Sequence, residues 1–157
     1  MAASEDDGTT RVDRLLRTGP VVWLSTVCPD GRPHLVPIWF WWDGASVLIA
    51  SKPHARKIAN LRANPECMLA IGDAEADFDV ALIEARAELT PISTRSLLEA
   101  GLLAKYRDRM ASVGLPMAEF EATYSQVIRI TPTRCLPWHG RTPRPSAGRA
   151  MSTLSVA

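Results

Sequence analysis

The densest group of cations in the sequence lies in residues 51–62, which read SKPHARKIANLR. This segment contains no acidic residue, and its permanent cations are Lys52, Arg56, Lys57 and Arg62. If the first helical turn begins at Lys52, then Lys52, Arg56 and Asn60 recur at i, i+4 and i+8 and share one helix face. The amides at a helix N-terminus add to this positive field, so the pattern is typical of a phosphate site. A solvated basic helix face is the alternative interpretation.

The second chemical feature is the aromatic run VPIWFWW at residues 36–42. Alternate side chains of a strand point to opposite faces, so Trp39 and Trp41 share one face while Phe40 and Trp42 share the other. Both faces are therefore apolar, which predicts a strand that is covered on each side. One cover is the core, and the other is a helix, a partner subunit or a planar ligand. Ordinary core packing is a sufficient explanation for such aromatic residues as well.

Several familiar chemical motifs are missing from the sequence. There is no GxGxxG, GxxxxGK[ST] or GxSxG segment, which argues against a built-in dinucleotide or nucleotide domain and against a hydrolase nucleophile elbow. The histidines are scattered and the three cysteines show no CxxC spacing, so no metal site is expected. Five acids between residues 73 and 84 match the spacing of a calcium loop. Phe78 replaces the glycine that such a loop requires, however, and predicted strands flank it.

Bulk composition narrows the class of protein. The chain has 157 residues with 18 basic and 17 acidic side chains, a net charge of +1. Binding to a phosphate backbone needs a strong basic surplus, so nucleic acid is not expected as a partner. No apolar run approaches the roughly 20 residues that cross a bilayer, and the acidic N-terminus does not resemble a signal peptide. We therefore expect a cytoplasmic protein without a membrane partner.

Periodicity and turn signals predict the elements that must position these residues. Predicted strands cover residues 21–28, 34–42, 45–51, 66–72, 78–89 and 126–131. Predicted helices cover residues 12–16, 53–62, 94–110 and 117–124. The short turns PDGR and DG make the first strands antiparallel, and this order favours a closed or nearly closed antiparallel barrel over a doubly wound sheet. Residues 11–141 form the expected domain, residues 1–10 a flexible lead, and residues 142–157 a disordered tail.

Read together, four segments resemble the pyridoxamine-phosphate-oxidase-like split-barrel family, and within it the deazaflavin-dependent oxidoreductases. The segments are LSTVCPDGRPHLVPIWFWWDG, SVLIASK, HARKIANLRANP and LPWHG. The usual family helix reads close to K-x-x-N-L-x-x-N-P, which is matched here by Lys57, Asn60, Leu61, Asn64 and Pro65. The resemblance covers residues 10–141. It implies a mainly β fold, a six-stranded antiparallel split barrel with flanking helices, that forms a homodimer with two cofactor sites at the interface.

The same resemblance implies roles for individual residues. It places Ser51, Lys52, Arg56 and Lys57 at the cofactor phosphate, with Asn60 in support. It places Val36, Pro37, Ile38 and Trp39 along the ring system. Trp138 of the partner subunit would approach the ring or the substrate, although a plug at the barrel end explains Trp138 equally well. No side chain stands out as a general acid, and the candidates are His139 and bulk water.

Three functions are compatible with these residues. The first is an oxidoreductase that transfers a hydride from C5 of reduced coenzyme F420 to a small conjugated organic acceptor. The basic segment favours this coenzyme, since it carries a phosphodiester and a polyglutamate tail. The second is an FMN-dependent oxidase or reductase on the same fold, and the third is a non-catalytic module that binds a flavin or deazaflavin.

Overall fold

The computed structural model describes residues 5–73 and 79–138. Its elements in chain order are α1 (Glu5–Thr18), β1 (Val22–Val27), β2 (Pro33–Ile38), β3 (Trp41–Trp42), β4 (Val47–Ser51), α2 (Arg56–Ala63), β5 (Glu66–Asp73), β6 (Asp79–Thr90), α3 (Thr94–Leu97), α4 (Leu103–Ser112), α5 (Met117–Thr123) and β7 (Gln126–Trp138). A π-helical turn, Leu98–Leu102, joins α3 to α4. Within the described ranges, no helix is long and apolar enough to cross a membrane.

The strands form one curled antiparallel sheet in the order β2-β1-β5-β6-β7-β4-β3, a half-barrel flanked by helices. The two edge strands, β2 and β3, follow each other directly in the chain and are separated only by Trp39 and Phe40. The predicted mainly β, antiparallel class is confirmed. The sheet has seven strands where six were expected.

The extra strand arises because the predicted strand 34–42 is broken in two. Its first half pairs with β1 and its second half pairs with β4. At the break, the backbone N–H of Phe40 donates to the hydroxyl of Tyr106, 3.1 Å away, instead of to a neighbouring strand. The chain changes its pairing partner here, and a partner change is a property of the tertiary fold that local alternation does not reveal.

Two further boundaries differ from expectation. Helix α1 begins at Glu5, inside the segment expected to be a flexible lead, because an apolar stripe that docks on the sheet also orders the polar turns that precede it. The last strand, β7, continues to Trp138, because it pairs with β6 from Val127 to Trp138, with one irregularity in the register between Glu84 and Ala85 of β6. The predicted tail, residues 142–157, lies outside the described residues.

The buried apolar side chains form two separate clusters. The first, here called the barrel core, fills the curled sheet and includes Phe40 and Trp42. The second, here called the layer core, lies between the sheet and a helical layer formed by α3, the π-helical turn, α4 and α5. Trp39 and Trp41 pack against the layer core. The predicted alternation is therefore confirmed, and the second cover of the aromatic strand is a helical layer.

Gly101 makes the close contact between helical layer and sheet possible. Its φ of +150° lies in a region that other residues rarely adopt, and it interrupts the helix at the π-helical turn. A Cβ at this position would lie 2.4 Å from the ring of Trp41. The kink and the missing side chain together let the indole of Trp41 sit against the backbone of the layer.

Candidate functional site

A cavity of about 460 Å³ lies where the barrel core and the layer core meet, and it is here called the seam pocket. The end of β2 and the strand break contribute Pro37, Ile38 and Trp39. The segment from β4 into α2 contributes Lys52 and Lys57, and the helical layer contributes Phe120 and Tyr124 together with the α4–α5 connection. A volume of this size is typical of a pocket for one drug-sized ligand.

One side of the seam pocket is a wall of aromatic rings, Trp39, Phe120 and Tyr124. The ring centroids of Trp39 and Phe120 are 6.4 Å apart with an interplanar angle of 19°, and those of Phe120 and Tyr124 are 4.8 Å apart at 33°. Behind this wall, Trp39 also stacks on Tyr106. Ring faces held in this way offer a flat, polarisable surface, which suits a planar conjugated ligand.

The seam pocket also carries positive charge, from Lys52 and Lys57. The ammonium group of Lys52 lies 5.9 Å from the ring centroid of Tyr124. Lys57 is half-buried, and its pKa is lowered, first by burial and then by the charge of Lys52. None of the described residues that line the pocket is acidic. The pocket therefore favours a ligand that combines a flat apolar body with an anionic group.

The expected alignment of Lys52, Arg56 and Asn60 on one helix face is wrong. Helix α2 begins at Arg56, after Ala55 in extended backbone, so Lys52 precedes the helix. As a result, Lys57 instead of Arg56 accompanies Lys52 in the seam pocket. Arg56 is exposed and lines a different, smaller cavity with Asp30 and other residues of the β1–β2 turn.

The resemblance places Ser51 at the cofactor phosphate with Asn60 in support, and Val36 along the ring system, and none of the three lines the seam pocket. Asn60 is 1% exposed, and its amide donates to the hydroxyl of Thr26 at 2.9 Å. This bond fastens α2 to β1. The hydroxyl of Ser51 is also buried and donates to the carbonyl of Lys52 at 3.1 Å. Val36 packs against the barrel core. Of the expected ring-lining residues, Pro37, Ile38 and Trp39 do line the seam pocket.

The last two predicted site residues, Trp138 and His139, lie at the C-terminal end of the described chain and just beyond it. Trp138 is the last residue of β7, where its backbone pairs with Val80. His139, the candidate proton donor, lies outside the described residues. In the described part of the chain, no group of three or more His, Cys, Asp or Glu side chains is placed to hold a metal ion.

Sequence reasoning missed the contribution of the helical layer to the pocket. The side chains concerned are Val113, Leu115, Phe120 and Tyr124. Phe120 and Tyr124 recur at i and i+4 on the predicted helix 117–124, so both rings lie on one helix face. That spacing was the available signal for an aromatic surface. The third ring of the wall, Trp39, is distant in sequence, so the spacing could not show that the three rings meet.

A curled antiparallel sheet with an apolar, cation-bordered pocket beside it defines a split barrel of the flavin-binding kind. The sequence matches the pyridoxamine 5'-phosphate oxidase family over residues 9–139, and the chain belongs to that family. Among curated proteins, none is significantly similar to the chain in sequence.

Solved structures share the fold at low sequence identity. A conserved hypothetical protein from Mycobacterium tuberculosis is 24% identical with a TM-score of 0.67, covering 96% of this chain and 95% of that one. A protein described as an F420 reductase is 23% identical with a TM-score of 0.64, covering 79% of this chain and 94% of that one. A FAD-binding protein from Mesorhizobium loti is 19% identical with a TM-score of 0.61, covering 80% of this chain and 88% of that one. At these identities the likeness establishes the fold alone.

Proposed function

We propose that the protein is an oxidoreductase that binds coenzyme F420 in the seam pocket and reduces a small conjugated organic acceptor. The observation that carries this proposal is the meeting of an aromatic wall with two lysines in a pocket whose described lining contains no acid. Membership of the oxidase family and the presence of an F420 reductase among proteins of the same fold support it.

The residues present fit such a cofactor. Its flat ring system would lie along Pro37, Ile38 and Trp39, and its phosphate would be held by Lys52 and Lys57. When bound, a reduced deazaflavin supplies a hydride, and the protein supplies position and electrostatics. Lys57 is half-buried beside apolar side chains, and an ionic contact in a partly desolvated place of this kind is stronger than one in open water.

The amount of positive charge favours coenzyme F420 over FMN. FMN carries a single phosphate, which two lysines are enough to hold. Arg56 and Arg62 add two exposed cations on the same helix, outside the seam pocket. These arginines would meet the polyglutamate tail of the deazaflavin coenzyme, for which FMN has no counterpart.

A second copy of the chain is part of this proposal. The outer face of β1, β2 and β5 exposes large apolar side chains: Trp23 (46% exposed), Val27 (40%), Leu35 (58%) and Met68 (38%). The strand register places these residues side by side, since Ser25 of β1 lies opposite both Leu35 and Met68. A contiguous apolar patch of this kind is typical of an interface. In the homodimer that the family resemblance implies, Trp138 of the partner subunit would approach the ligand.

The dimer has its own test. Leu35 is the most exposed of these side chains, and replacing it by Glu places a charge on the apolar face while leaving the buried cores untouched. We expect the purified protein to sediment as a dimer and the Leu35→Glu variant to sediment as a monomer. A wild-type protein that sediments as a monomer at all concentrations would refute the interface.

The function is tested by parallel fluorescence titrations of the apo-protein with FMN and with coenzyme F420. We expect tight binding of the deazaflavin and weaker binding of FMN. Loss of both FMN and deazaflavin binding in the Lys52→Ala/Lys57→Ala double variant would support a phosphate site in the seam pocket, whereas Arg62→Ala should weaken binding of the deazaflavin only, through its tail, and leave FMN binding unchanged. Tighter binding of FMN would make the protein a flavin enzyme. Binding without turnover of any enone or quinone would make it a carrier.

A further inference from the structure

The distribution of lysine in this chain is uneven. The chain has 18 basic residues, and only Lys52, Lys57 and Lys105 among them are lysines. Two of the three line the seam pocket, whereas every other permanent cation among the side chains is an arginine. Arginine binds phosphate with two parallel hydrogen bonds and keeps its charge, whereas lysine can lose its proton and become a nucleophile. Lysines at this place therefore offer chemistry that arginines would not.

The surroundings of Lys57 make its ammonium group easier to deprotonate than that of an exposed lysine. The side chain is half-buried, and burial is the first cause that lowers its pKa. The charge of Lys52 is the second cause, and none of the described side chains that line the pocket is a carboxylate that would oppose it. A lysine in an apolar pocket beside another cation is an arrangement that activates the amine for attack on carbonyl compounds.

We propose that Lys57 forms a reversible imine with aromatic aldehydes that carry an anionic group. The amine nitrogen attacks the carbonyl carbon, a C–N bond forms, and the carbonyl oxygen leaves as water with the two amine protons. The step needs neither an oxidant nor a reductant. The aromatic wall holds the ring of the aldehyde, and Lys52 holds its anionic group.

This activity is separate from hydride transfer, because it requires the lysines and the pocket but no flavin. It gives the seam pocket a second class of ligand, a planar aldehyde with a carboxylate, sulfonate or phosphate. A bound cofactor would compete with it for the same space.

Lys105 provides an internal comparison. It is half-buried in α4, and burial lowers its pKa to about 8. Its ammonium group lies 3.6 Å from the ring centroid of Phe40 and 3.5 Å from the carbonyl oxygen of Leu16, and it does not line the seam pocket. A reaction that depends only on easy loss of the proton would modify Lys105. A reaction that depends on the pocket selects Lys57.

The experiment uses 4-carboxybenzaldehyde as the probe on the full-length apo-protein. The imine is trapped with sodium cyanoborohydride, and the mass adduct is mapped to each lysine and to the N-terminal amine. We expect about tenfold more adduct at Lys57 than at Lys105 because the pocket orients the aldehyde. Uncharged benzaldehyde should show little preference between the lysines.

Two variants complete the test. Lys57→Arg keeps the positive charge and should abolish the preferred adduct. Lys52→Gln leaves the nucleophile in place but removes both the anion contact and one cause of the lowered Lys57 pKa, so it should reduce labelling of Lys57 by the carboxylated probe much more than labelling by benzaldehyde. Equal labelling of all lysines, dominant labelling of Lys52 or Lys105, or indifference to Lys52→Gln would overturn the proposal. The readout is a trapped mass, so failure of the F420 proposal would leave this result unaffected.

Discussion

The indole of Trp39 stacks on the phenol ring of Tyr106, with centroids 4.8 Å apart and ring planes 9° from parallel. Tyr106 is 1% exposed, and its hydroxyl accepts a hydrogen bond from the backbone of Phe40 and donates one to the carbonyl of Pro20 at 3.0 Å. The side chain of Tyr106 thus fixes the backbone at the break between β2 and β3, and it also fixes the ring of Trp39, which forms part of the pocket wall. Tyr106 does not line the pocket itself, so it acts as a positioning residue.

Two substitutions separate these tasks of Tyr106. Tyr106→Phe keeps the stack but leaves the N–H of Phe40 and the carbonyl of Pro20 unpaired, which should cost about 1–3 kcal/mol of unfolding free energy. Tyr106→Leu also removes the stack, so it should weaken flavin or deazaflavin binding much more than Tyr106→Phe does. Urea denaturation and ligand titration measure the two effects. Equal ligand affinity in both variants would show that the stack does not position Trp39.

Lys57 and Arg56 are neighbours in sequence, but the structure predicts different effects for them. Lys57 lines the seam pocket and Arg56 lines another cavity. Lys57→Ala should therefore weaken binding of an anionic cofactor by about 1.5–3 kcal/mol, the range for a hydrogen bond to a charged group. Arg56→Ala should weaken FMN binding far less. Titration of FMN against both variants checks this, and a larger loss in Arg56→Ala would place the phosphate in the smaller cavity.

Gly101→Ala should destabilise the protein by at least about 2 kcal/mol, because it combines backbone strain with a clash. The new methyl group would meet the ring of Trp41 at 2.4 Å. Gly114→Ala is the matched control, since Gly114 also has a positive φ of +62° but no described atom within 4 Å of the position that its new methyl group would take. Thermal or urea unfolding compares the variants. If Gly114→Ala costs as much as Gly101→Ala, backbone strain alone would explain the loss.

Burial of Lys105 predicts a pH dependence of stability. Its pKa is about 8 in the folded protein against 10.5 for the ordinary side chain. As pH approaches and passes about 8, the folded state loses this proton first, so the unfolded state binds more protons and stability rises. The pKa of Cys67 is raised to about 12 by burial, so above the ordinary thiol value of 9.0 the unfolded state loses a proton first and stability falls.

The measurement for Lys105 therefore belongs between about pH 7 and 8, at least about one pH unit below the ordinary thiol value, where the thiol contributes little. Urea denaturation of the wild type should show stability increasing over this range. Lys105→Met keeps most of the apolar side chain and should reduce the increase, leaving the part that comes from the lowered pKa of Lys57. A wild type and a Lys105→Met variant with the same slope would show that another group titrates there.

Much of the fold could be predicted from alternation and turn chemistry, because these act within a few residues. The Asp43–Gly44 turn illustrates this, since the carboxylate of Asp43 accepts from the backbone N–H groups of Ala45 and Ser46 at 2.8 and 2.7 Å. The break after Ile38 could not be predicted, because it depends on Tyr106, 66 residues beyond Phe40 in the chain.

The candidate site was predicted in part for the same reason. Five of the predicted residues do line the pocket, and each lies in a short segment that can be recognised from its own residue types and spacing: Pro37, Ile38, Trp39, Lys52 and Lys57. Asn60 is predicted to support the phosphate site, and in the structure its amide donates to Thr26 and does not line the seam pocket. This contact depends on how α2 packs on β1, which local spacing does not reveal.

The position of the seam pocket between two separate cores has a consequence for unfolding. Ile38 and Ala55 belong to the barrel side of the pocket, and Phe120 and Tyr124 belong to the helical side. A molecule that fills the pocket touches both sides and therefore links the two clusters of buried side chains. When a ligand fills the pocket, the helical layer and the barrel should therefore unfold together in one cooperative transition. The ligand would then contribute to the stability of the fold by joining its two cores.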